Sequence, residues 1–136
     1  MAAIVPLFIV GGYVVQQPHN SAVQFNLSTV FAEAGRLPEA ILHLEEAVRL
    51  DPNSDRAHYN LARALEGSAR SQDAIEHYRT ASRLRPDDAA SHYNLARLLE
   101  GAGYTLRAIE HYRHAIAVQP IGRLQLLQTT GMSFDK

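Results

Sequence analysis

The sequence predicts an all-α fold in which helical hairpins stack one on another as a solenoid, and three observations predict it. The phrase His58-Tyr59-Asn60-Leu61-Ala62-Arg63 returns as His92-Tyr93-Asn94-Leu95-Ala96-Arg97, with Gln24-Phe25-Asn26-Leu27-Ser28-Thr29 as a weaker copy, at a step of 34 residues. A second phrase keeps the same step: Ala40-Ile41-Leu42-His43-Leu44-Glu45, Ala74-Ile75-Glu76-His77-Tyr78-Arg79 and Ala108-Ile109-Glu110-His111-Tyr112-Arg113. Within each copy the apolar residues recur at helix spacing rather than in alternation.

Residues 1–20 form an apolar N-terminal segment. Met1 to Val15 carries no charge and is interrupted only by Pro6, Gly11, Gly12 and the hydroxyl of Tyr13. The run falls short of the roughly 18 to 20 apolar residues a spanning helix needs. It also lacks the basic start and small-residue cleavage site of a secretory signal. Two readings stay open: a membrane-related segment, such as the remnant of a membrane helix or a signal-like stretch, or a β-branched soluble or disordered arm that lies on the first repeat. A membrane contact through residues 1–15 belongs to the first reading, and the compartment, cytoplasmic or membrane-associated, stays open with it.

The three repeats are 21–54, 55–88 and 89–122. In the second, His58, Leu61, Ala62 and Leu65 follow the i, i+3, i+4, i+7 rule of one helix face. After the break from Gly67 to Ser71 the partner helix shows Ala74, Ile75, Tyr78 and Ala81, and Pro86 stops it. Asn20-Ser21, Asp51-Pro52-Asn53-Ser54 and Pro86-Asp87-Asp88 supply capping oxygens for the helix that follows each of them. A lone hairpin cannot bury both of its faces, and about three are needed for a continuous core. Residues 123–136 carry Leu124, Leu126 and Leu127 before Gly131, enough for a short capping helix over the last hairpin. The array is expected to end there or to have been cut there.

Bulk composition narrows the function. In 136 residues, thirteen basic and fourteen acidic side chains leave a formal net charge of −1, so the basic footprint of a nucleic-acid binder is missing and no nucleic-acid partner is expected. Without cysteine there are no disulfides, no thiolate chemistry and no cysteine-based zinc sites.

The step, the paired helices and the pattern of small and large residues resemble the tetratricopeptide repeat family. The positions that carry the resemblance are Phe25, Asn26, Leu27, Ser28, Ala40, Leu44, Ala47 and Pro52 in the first copy. The second has Tyr59, Asn60, Leu61, Ala62, Ala74, Tyr78, Ala81 and Pro86; the third has Tyr93, Asn94, Leu95, Ala96, Ala108, Tyr112, Ala115 and Pro120. The usual hairpin glycine is present as Gly35 and Gly103 but is Ala69 in the middle copy, and the early aromatic is Gln24, His58 and His92. The resemblance implies a right-handed superhelical α-solenoid and a protein–protein interaction role.

Function is expected on a second stripe of the first helices. Arg56, Tyr59, Asn60 and Arg63 also run i, i+3, i+4, i+7, nearly opposite the apolar stripe. Stacked, these faces would line a concave groove with Phe25, Asn26, Thr29 and Glu33, then Glu66, then Tyr93, Asn94, Arg97 and Glu100. Asn26, Asn60 and Asn94 form a ladder whose amides match the donor and acceptor of a peptide unit, as in the asparagine ladder of O-linked N-acetylglucosamine transferase, which these positions resemble. The competing reading gives the asparagines to helix packing or water, and the arginines to ion pairs within and between repeats. Arg56, Arg63 and Arg97 otherwise suit a peptide with acidic side chains. Of the clamp by which some tetratricopeptide domains hold a chaperone's C-terminal carboxylate, only Asn60 fits.

The expected partner-binding residues are therefore Phe25, Asn26, Arg56, Tyr59, Asn60, Arg63, Tyr93, Asn94 and Arg97, and the expected partner is a protein or extended peptide. His43, His77 and His111, and likewise His58 and His92, are explained by the repeat. Only His111 and His114 share a helix face at ligand spacing, too few for a metal site. No catalytic residue, metal or cofactor is expected. The alternative from another class is an arm of a larger enzyme, such as a glycosyltransferase, or of a membrane-anchored assembly factor. A third is a groove filled by Ile4 to Val15 or by a second copy.

Overall fold

The computed structural model describes residues 7–10, 13–16 and 20–119, with side chains over 20–119. Six helices stand among the described residues: α1 (Ser21–Glu33), α2 (Leu37–Leu50), α3 (Asp55–Gly67), α4 (Ser71–Leu84), α5 (Ala89–Gly101) and α6 (Thr105–Val118). They make the three hairpins α1–α2, α3–α4 and α5–α6 at the positions the 34-residue step gives. Two strands precede them, β1 (Leu7–Val10) and β2 (Tyr13–Gln16), paired antiparallel with Val10 opposite Tyr13. The chain divides into two compact units between Pro52 and Asn53. The expected capping helix in 123–136 lies outside the described residues.

Each first helix starts on a side-chain cap. Asn20 Oδ1 accepts from the Ala22 amide at 2.9 Å, Ser54 Oγ from Ala57 at 3.2 Å and Asp88 Oδ2 from Ser91 at 3.0 Å. All three first helices end on the same turn. The amides of Arg36, Arg70 and Tyr104 reach back to the carbonyls of Phe31, Leu65 and Leu99 at 2.8, 2.9 and 2.8 Å. Those of Gly35, Ala69 and Gly103 bond the carbonyls of Ala32, Glu66 and Glu100 at 3.0 Å each. This pair of bonds needs a left-handed residue between the helices. Gly35 and Gly103 take it at φ 73° and 86°, and Ala69 takes it at φ 60° against the steric preference of a Cβ.

Small residues set the helix spacing within each hairpin. Ala40, Ala74 and Ala108 occupy one repeat position and are buried; so do Ser28, Ala62 and Ala96 at another, and Ala47, Ala81 and Ala115 at a third. In the first unit Leu44 and Ile41 complete the core. In the second, Leu61, Leu65, Ile75 and Tyr78 fill the α3–α4 hairpin, Leu95 and Leu99 fill α5–α6, and α4 packs on α5 so the two hairpins share one interior. Among the described residues no helix is long and apolar enough to cross a membrane.

Candidate functional site

The second stripe of the sequence lies on the first helix of each hairpin, and in the second unit its members meet across repeats. The Asn94 amide Nδ2 donates to the Tyr59 hydroxyl at 3.2 Å, joining α5 to α3. Arg97 donates to Glu66 Oε1, a second tie between the same helices. Tyr59 meets Tyr78 edge to face at 5.6 Å between ring centres, and Tyr93 meets Tyr112 likewise at 5.8 Å. Glu66 Oε2 also accepts from the Tyr78 hydroxyl at 3.4 Å, and Glu100 accepts from Tyr112 at 2.9 Å. Burial, then the Glu66 carboxylate, hold the Tyr78 hydroxyl protonated well above the ordinary tyrosine range.

Three members of the stripe, Tyr59, Asn94 and Arg97, are thus tied to a neighbouring repeat, and among the described residues Asn60 and Arg63 are not. Asn94 and Arg97 are engaged by the preceding repeat. Asn60 is half-buried with no hydrogen bond from its amide among the described residues, and the exposed Arg63 forms no ion pair among them. Arg56 is exposed on the first turn of α3, and Tyr93 shows 53% of its surface. Phe25, half-buried, and Asn26, exposed, stand at the equivalent positions of α1 in the first unit.

In the sequence Glu66 and Glu100 stand three residues from Arg63 and Arg97, which predicts neighbours on one helix. The structure ties Arg97 to Glu66 instead, 31 positions apart. It also draws His58 and His92 into the hairpin interiors opposite His77 and His111, pairs that sequence reasoning did not join. Their signal was present: both positions recur at 34, so a constant offset of 19 links them in every copy. His92 further lies 5.1 Å from His114 between ring centres, yet no group of three or more metal-ligating side chains able to hold an ion stands among the described residues.

The comparisons with known proteins agree on the architecture. One family model, described as a TPR repeat, matches residues 29–67 and 71–103, and a second, described as a tetratricopeptide repeat, matches 89–121. None of the curated proteins matches the sequence. A crystal structure of MamA is similar at 25% identity and a TM-score of 0.72, with 85% of this chain and 71% of that chain covered. A MamA RS-1 ArsTM double mutant is similar at 23% identity and 0.72, covering 80% of this chain and 60% of that one. A chain of the CopN-Scc3 complex shares the fold at 13% identity and 0.71, with 85% and 70% covered.

Proposed function

Because the chain belongs to the tetratricopeptide repeat family, we propose that it is a protein-interaction module whose α3 and α5 faces hold an extended peptide carrying acidic side chains. The observation that carries the reading is the division of labour along the second stripe. Asn94 and Arg97 each give a donor to the preceding repeat, whereas Asn60 and Arg63, the same residue types one repeat earlier, have no such partner among the described residues. An asparagine amide offers one acceptor and two donors, enough to take a peptide unit by its backbone. Arg63, one turn along α3, supplies a fork for a carboxylate. Tyr93, with half of its surface open, supplies an apolar wall.

Backbone recognition of this kind reads an extended conformation before it reads a sequence, so selectivity falls to the arginine and the aromatic ring. The test is a random-peptide display library panned against the full chain. Peptides enriched in Asp and Glu should emerge, and the affinity of the best of them should fall at least about tenfold in Asn60→Ala and again in Arg63→Ala, as expected for losing a ligand hydrogen bond and a charge-assisted one. Binding that is indifferent to both substitutions, or a set of peptides with no acidic bias, removes the reading.

A further inference from the structure

Besides its apolar packing, each hairpin carries a polar contact between its two helices at the same pair of repeat positions, 19 residues apart. In α1–α2, Gln24 Oε1 faces His43 Nδ1 at 2.7 Å; in α3–α4, His58 Nδ1 faces His77 Nδ1 at 3.0 Å; in α5–α6, His92 Nδ1 faces His111 Nδ1 at 3.1 Å. The rings of the two histidine pairs have centres 5.3 and 5.4 Å apart. Each value exceeds the nitrogen separation by about two imidazole ring radii, so the facing nitrogens aim along one line at each other. That is the geometry of an N–H···N hydrogen bond, and it gives the two lone pairs no common point at which to meet a metal ion.

Such a bond needs a hydrogen on one facing nitrogen and none on the other. In the third hairpin the roles follow from a further contact. His92 Nε2–H donates to the Pro86 carbonyl oxygen at 3.0 Å, which leaves the Nδ1 of neutral His92 as the acceptor for His111 Nδ1–H. One additional proton can enter at the outer nitrogen of His111 with the bond intact. A second would place hydrogen on both facing nitrogens and break it. Two imidazoles in an opened hairpin accept both protons, so opening takes up acid. The Gln24–His43 contact has no such limit, because an amide oxygen accepts from His43 Nδ1–H whether that ring is neutral or charged.

The surroundings push the same way. Burial first, then His58, holds His77 below the ordinary histidine range; Arg70 adds to this, while Asp73 and Glu76 on α4 oppose it. For His111 the cause is again burial, then His92 and His114, with Arg79 of α4 adding and Glu110 opposing. A histidine lowered in the folded state contributes stability that is complete above its unfolded value, about 6.5, and is lost as pH falls through the folded value.

We propose that His58–His77 and His92–His111 are acid-released latches, which open the α3–α4 and α5–α6 hairpins where histidine takes up protons while the Gln24–His43 latch of the first hairpin holds. The test is urea unfolding of the full chain at pH 7.5, 6.0 and 5.0 beside the variant His58→Gln/His92→Gln, which copies the first hairpin's solution into the other two. Below pH 6 the unfolding constant of the parent should rise relative to the variant by up to about tenfold per pair for each pH unit. Parallel pH profiles would overturn the proposal. Should the variant not fold, NMR titration of the parent's imidazoles decides: coupled titration of each pair, with its second proton taken up only at markedly lower pH than the first, sustains it, and four rings titrating independently of one another end it.

Discussion

Ala69 is the residue at which this chain departs most plainly from its own pattern. Its repeat equivalents are Gly35 and Gly103, and all three sit at positive φ, at 60°, 73° and 86° respectively. A Cβ in the left-handed region costs about 1–2 kcal/mol, part of which is returned by the smaller freedom of the unfolded alanine. Ala69→Gly should therefore stabilise the chain by about 0.5–1 kcal/mol, read from the urea midpoint. Gly35→Ala should destabilise it by a similar amount, through the backbone alone, since a Cβ there would touch nothing within 4 Å. The substitution was legible in the sequence because three copies can be laid over one another. The Tyr59–Asn94 bond was not, because it depends on how far α5 is set along α3, and no repeat spacing states that.

At the scale of the element, the same residue type has different worth at the two ends of the second unit. Tyr78 on α4 is fully enclosed at 0% exposure, since α3 and α5 both cover α4; Tyr112, its equivalent on α6, is only half-buried. Tyr78→Ala should cost about 3–5 kcal/mol in urea unfolding, and Tyr112→Ala less than half as much. Equal costs would mean that α6 is covered as thoroughly as α4. Helix extents were legible because the capping oxygens of Asn20, Ser54 and Asp88 and the left-handed turn recur at a fixed step. The strand pair at 7–10 and 13–16 was not, since a short apolar run satisfies helix and strand patterns alike. The histidine pairs escaped for another reason: a buried polar position reads as part of the apolar stripe until its partner on the second helix is known.

For the whole molecule, thirteen basic and fourteen acidic side chains are mixed along the sequence, and the ion pairs seen among the described residues are shallow, the two between helices, Arg85–Asp55 and Arg97–Glu66, included. Arg36–Glu39, Arg49–Glu46, Arg70–Asp73 and Arg79–Glu76 each join residues three positions apart, within one helix or from the residue that precedes it, with mostly exposed side chains. Pairs of this kind contribute about 0–1 kcal/mol each and are screened by salt. Raising NaCl from 0.05 to 0.5 M should therefore move the melting temperature by no more than about 2 °C, measured by circular dichroism at pH 7.5. A larger drop would assign stability to electrostatics that this fold does not need. Mild acid should act differently, through the two histidine pairs, so salt and pH separate the surface from the interior. The protein-interaction role was legible from period and family resemblance; which member of the stripe holds a hydrogen bond to a neighbouring helix was not, because Asn60 and Asn94 are identical in sequence and only the bond of Asn94 to Tyr59 tells them apart.

The ties between α3 and α5 also bear on how such a chain grows. Tyr59 and Glu66 present a hydroxyl and a carboxylate on one side of the junction, and Asn94 and Arg97 answer on the other. A tandem copy of residues 55–88 inserted after Asp88 would bring its own Asn60 and Arg63 to meet the original Tyr59 and Glu66, and its own Tyr59 and Glu66 to meet Asn94 and Arg97. The seam reproduces itself at each gene duplication, so the array can lengthen in one event without a further compensating mutation at the new joint.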